Sequence, residues 1–150
     1  MTTTIEILRS IFIRDLNKLK LEISSYSNED KIWHIDKSIL NSSGNLCLHL
    51  IGNLDNYIGA QIGETGYIRN RDLEFADKNV PKETLITNIE ATIDMINNTF
   101  NQLTDSDLKK EHPFLVFESK SSIEYLLMHL TTHLSYHLGQ INYHRRLLDN

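Results

Sequence analysis

The stretch HLTTHLSYHLGQINYH, residues 129–144, sets histidines at 129, 133, 137 and 144 in an otherwise aliphatic run. Its apolar residues recur every three or four positions, the period of an amphipathic helix. That period predicts one long helix over 121–148, opening at Ser121-Ser122. Side chains four apart on a helix lie about 5–6 Å from one another, near enough to share a metal ion.

Working outward from this helix, three more can be read. Ile5, Leu8, Ile11, Phe12, Leu16, Leu19 and Ile23 predict a helix over 4–24. A second, over 43–63, opens after Asn41-Ser42-Ser43-Gly44 and closes among Gly63 and Gly66. Leu85, Ile89, Ile93, Ile96, Phe100 and Leu103 predict a third from Pro81 to about 103. Ser27 to Asp30 and Thr104 to Asp107 read as capped turns. Residues 64–80 show no clean period and are expected to form a long loop, a kind of segment that tends to be functional.

The halves echo each other. SSGNLCLHLIGNLDNYIG (42–59) and SSIEYLLMHLTTHLSYHLG (121–139) both contain His-Leu-x-x-x-Leu-x-x-x-x-Gly. Two similar helical pairs predict an all-α four-helix bundle, with the long loop between helices two and three. The 150 residues suit a single domain, 1–150.

Composition excludes several function classes. With 20 acidic against 15 basic residues the chain carries a net charge of −5, which disfavours nucleic-acid binding. No stretch approaches the roughly 18 apolar residues of a membrane span. The opening MTTTIEILRSIFIRDL lacks a basic leader, an apolar run and a cleavage site, so a soluble, cytoplasmic protein is expected. A single cysteine, Cys47, excludes an intramolecular disulfide and reads as a small core residue.

On a helical wheel the last helix buries a stripe near Ile123, Leu130, Ile141 and Leu148, with His137 about 40°, His144 about 60°, His133 about 80° and His129 about 120° from its centre. His133 and His137 thus form the four-apart pair leaning furthest inward, although the wheel does not exclude His129. A zinc-type site needs a third ligand from elsewhere. His49 offers one, flanked by an apolar stripe (Leu46, Leu50, Leu54, Tyr57) and a small-residue stripe (Gly52, Gly59, Gly63) that lets a neighbour approach closely. The competing reading is a hydrogen-bonded core histidine; three histidines on two helices favour the metal. His34 and His112, in connectors, are expected at the surface.

The segments NLCLHLIGN (45–53) and HLTTHLSYHLGQI (129–141) resemble the DinB-like superfamily of bacterial four-helix proteins. GNLCLHLIGNLDNYIGAQIGETGYIRNRDLEF (44–75) resembles an uncharacterised branch of it, and the likeness spans essentially the whole chain. The resemblance implies a DinB/YfiT-like bundle with His49, His133 and His137 as ligands of a divalent metal, commonly zinc or nickel. It further implies small-molecule chemistry of the thiol-transferase and isomerase kind, using bacillithiol, mycothiol or glutathione, and a homodimer as the common assembly.

Three imidazoles leave a tetrahedral ion one open position, where a thiol or water can be activated. The absence of H-E-x-x-H argues against a zincin-type peptidase. Arg69 and Arg71, with Tyr67, are candidates to bind the carboxylates of a thiol cofactor, the plainer reading being solvated charges or a tie through Asp72 or Glu74. Asn53 and Gln140 are candidate hydrogen-bonding groups beside the histidines, against a plainer reading as exposed polar residues. Trp33 is expected to plug one end of the bundle, and no general base can be named. A metal-dependent thiol S-transferase leads. A non-catalytic metal-binding stress-response or structural bundle is the alternative.

Overall fold

The computed structural model describes residues 2–150, and among these it is all-helical, with six α-helices and no strand. The first, α1 (Thr4–Ser24), starts at a reciprocal cap: the Thr3 hydroxyl accepts from the Glu6 N–H, and the Glu6 carboxylate accepts from the Thr3 N–H. Its buried face carries Ile5, Leu8, Phe12, Leu16, Leu19 and Ile23, six of the seven residues whose spacing predicts the helix; the seventh, Ile11, is half-buried. The capped turn after it is a 3₁₀ turn, Glu29–Trp33.

Helix α2 (Ser43–Leu54) is opened by the Ser42 hydroxyl and then widens into a π-turn, Asp55–Ala60. The expected single helix over 43–63 therefore changes pitch near its end. Gln61 N–H donates to Asn56 C=O and Gly63 N–H to Ile58 C=O, each five residues back. Such widened turns are uncommon and concentrate at functional sites.

The segment expected to be a loop, 64–80, contains a short helix, α3 (Arg71–Ala76). Asn70 caps it by accepting from the Leu73 N–H. Six residues are fewer than two turns, too few for a hydrophobic period to register. Next come α4 (Lys82–Asn101), directly after Pro81, the one-turn α5 (Asp105–Leu108) and α6 (Ile123–Leu148), capped by Ser122.

Tertiary bonds fix the helix directions. Near their C-terminal ends α1 and α6 are joined by Glu22 with Arg145 at 2.7 Å, while the Asp149 carboxylate beyond α6 accepts from the Ser27 N–H at 2.8 Å. These two helices run the same way. Arg9, early in α1, donates to Asn97 C=O late in α4 at 3.3 Å, so α4 runs opposite. The Tyr26 hydroxyl, just past α1, meets Ser43 at the start of α2 at 2.8 Å, so α2 also runs back. Helix α1 packs on α4 and α6, and α2 packs on α6, α4 and α3 around a shared apolar core. No helix among the described residues is long and apolar enough to cross a membrane.

His112 was expected at the surface and is fully buried. An antiparallel bridge between Glu111 and Ser122 folds the connector back, and the His112 ring then reaches Gln61 beside the π-turn, Nε2 to Oε1 at 2.8 Å. His34 is exposed. Trp33 lies over the start of α2, so close that a Cβ on Gly44 would fall 2.6 Å from its ring.

Candidate metal centre

Helix α2 presents His49 and α6 presents His133 and His137, and one ring nitrogen from each lies within 4.8 Å of the others. His49 is buried and the α6 pair is half-buried. The Nε2 atoms of His49 and His133 are 3.2 Å apart. Two imidazole nitrogens held at bond lengths of about 2.0–2.1 Å on a tetrahedral ion would be roughly 3.3 Å apart.

The opposite edges of two rings are engaged. His49 Nδ1 sits 3.0 Å from Glu74 Oε1, and a carboxylate only accepts, so the proton is on Nδ1 and the Nε2 lone pair faces the cluster. His137 Nδ1 sits 2.7 Å from Gln140 Oε1, which assigns its tautomer the same way. The buried Nδ1 of His133 has no partner. The donor set fits a divalent cation: neutral nitrogens point at one another, and acceptors behind two rings hold the metal-binding tautomer.

The electrostatics agree with neutral rings. Burial lowers the pKa of His49, opposed by the Glu74 carboxylate. Burial, then the neighbouring imidazoles and Arg69, push His133 down to about 4. At neutral pH such rings offer lone pairs rather than protons.

Around the cluster, Phe75 packs against His49 with ring centroids 5.0 Å apart, and Tyr136 meets His137 edge-on at 5.3 Å. Glu74, the residue behind His49, arrives on α3. It is held by Arg69, whose Nε donates to Oε2 at 2.9 Å and whose Nη2 donates to Oε1 at 3.0 Å. The sequence reading had Glu74 only as a tie for Arg69 and missed its contact with His49. The available signal was Gly52, the small residue beside His49 that marks where something comes close.

A protein-family model described as "Protein of unknown function (DUF1572)" matches residues 5–150. The chain belongs to this family. No curated protein matches it.

In this DUF1572 chain the other candidate residues lie outside the three-histidine cluster. His129 is exposed on α6 and stacks edge-on against Phe117, while His144 turns into the core with Nδ1 unpartnered. Arg69 faces Glu74 and lies over the Tyr57 ring at 5.8 Å. Arg71 is exposed and stacks 5.2 Å above Phe75, the ring that touches His49. Tyr67, also exposed, lines a cavity of about 340 Å³ with Asp55 and Glu74, on the Gly52 side of α2. Asn53, which the plainer reading had exposed, is buried with Oδ1 unpartnered, and Gln140 holds His137. Cys47 is in the core, where burial pushes its thiol pKa up to about 12.

Proposed function

We propose that this protein is a DinB-like four-helix-bundle enzyme that binds one divalent metal ion, zinc or nickel, through His49, His133 and His137. We propose further that it uses a low-molecular-weight thiol of the bacillithiol or glutathione kind. One observation carries the reading: imidazoles from two helices converge, with Glu74 and Gln140 turning the Nε2 lone pairs of His49 and His137 inward.

A bound divalent ion supplies Lewis acidity, stabilising the deprotonated form of a thiol or water placed next to it. The chain's own groups do the rest. His133, kept neutral by its surroundings, is available as a ligand well into the acid range. Phe75 and Tyr136 flank the cluster, against His49 and His137 respectively. Arg71, exposed above Phe75, is the residue proposed to draw in the carboxylates of a thiol cofactor. The reaction class is S-transfer: a carbon–sulfur bond forms, the electrophile's leaving group departs with its bonding pair, and the thiol proton goes to solvent.

Untagged, metal-loaded protein assayed with bacillithiol or glutathione and an alkylating electrophile tests this reading. Turnover that requires both metal and thiol and disappears in His133→Ala supports it. Equal rates in wild type and His133→Ala contradict catalysis here, and metal uptake without turnover favours the non-catalytic alternative.

A further inference from the structure

Glu74 occupies a position that α3 alone does not require. Its carboxylate is buried, with Oε1 on His49 and Oε2 on Arg69. Burying a carboxylate is unfavourable unless it is paired and hydrogen-bonded, and here one cation and one imidazole serve that purpose. The chain around it is fastened to match. The Asn45 side chain on α2 donates to the backbone carbonyls of Glu74 at 2.9 Å and Asp77 at 2.8 Å. Gly52, one turn beyond His49, leaves the space the carboxylate fills: a Cβ there would lie 2.0 Å from Oε2.

We infer that Glu74 is a positioning residue for the metal centre, holding His49 in its Nδ1–H tautomer and aiming Nε2 at the ion, with Arg69 fixing the carboxylate. This rests on the metal-centre reading above. The short helix in the 64–80 segment then has a purpose, because it delivers an acceptor to the back of a ligand on another helix. Glu74 does not meet the metal. An acceptor behind a ligating histidine restricts its ring and raises its basicity, and losing one lowers metal affinity by about 10- to 100-fold. The Gln amide oxygen of Glu74→Gln can still accept from Nδ1–H without the charge, so that variant should retain more affinity than Glu74→Ala.

The test is zinc affinity by chelator competition for wild type, Glu74→Gln and Glu74→Ala, with imidazole ¹⁵N–¹H correlation spectra of the metal-free proteins. Expected are an affinity loss of about 10- to 100-fold in Glu74→Ala, a smaller loss in Glu74→Gln, and a His49 Nδ1–H signature that weakens in Glu74→Ala alone. A purely structural role would lower stability and leave the tautomer unchanged. If Glu74→Ala does not fold, Glu74→Gln carries the test, with zinc affinity below wild type and the His49 Nδ1–H signature kept; affinity equal to wild type then overturns the inference. Wild-type protein that takes up zinc no more tightly than Glu74→Ala overturns this inference alone. Wild-type protein that takes up no zinc, nickel or other divalent ion overturns the metal centre and this inference with it.

Discussion

Gly52 and Glu74 are in mutual contact, and the glycine is what permits it: a methyl group at position 52 would come within 2.0 Å of the Glu74 carboxylate. Gly52→Ala should therefore displace Glu74 while leaving both it and all three histidines in the chain. Overpacking of this kind costs about 1–3 kcal/mol. We predict a lower urea midpoint in the metal-free protein and weaker zinc binding. An unchanged midpoint and affinity would mean that α3 can shift freely.

Each of the three histidines should matter to metal uptake, and their neighbours on α6 should not. His49→Ala, His133→Ala and His137→Ala should each lower zinc retained after dialysis well below one equivalent. His129→Ala should match wild type, because that ring is exposed and faces Phe117. Elemental analysis of untagged protein reads the difference directly.

The metal-free protein should lose stability in mild acid. His49, His112, His133 and His144 all have pKa values lowered by burial from an ordinary 6.5. Below about 6.5 the unfolded chain takes up protons that the folded protein refuses, so stability falls as pH falls. For His133 the loss continues to about 4, and above the ordinary histidine range none of the four contributes. Asp55, whose carboxyl burial raises, works in the opposite sense at lower pH. Urea midpoints should therefore be lower at pH 5.5 than at pH 7.5, and equal midpoints would contradict the assignment.

Trp33 and Gly44 give a check on packing away from the site. A side chain at 44 would meet the Trp33 ring at 2.6 Å, so Gly44→Ala should lower stability by about 1–3 kcal/mol with metal affinity unchanged. A parallel loss of affinity would show that the start of α2 is coupled to His49.

The four long helices were legible because each repeats its apolar residues over several turns, as Leu8, Phe12, Leu16, Leu19 and Ile23 do on α1. The meeting of His49 with His133 and His137 followed from their inward lean and from family resemblance together. What was not legible depends on contacts rather than period. Glu74 lies 25 residues from His49, and nothing in local spacing links them. His112 is buried because of the Glu111–Ser122 bridge, a tertiary feature of a connector without pattern. The π-turn after Leu54 shifts the register without disturbing the composition that marks a helix.

The most direct measurement is anomalous diffraction at the metal absorption edge from crystals of untagged, zinc- or nickel-loaded protein. One strong peak is expected about 2.0–2.1 Å from the Nε2 atoms of His49, His133 and His137, with Glu74 behind His49 rather than on the ion. A peak elsewhere, or none at this cluster in crystals shown to contain metal, would contradict the three-histidine centre.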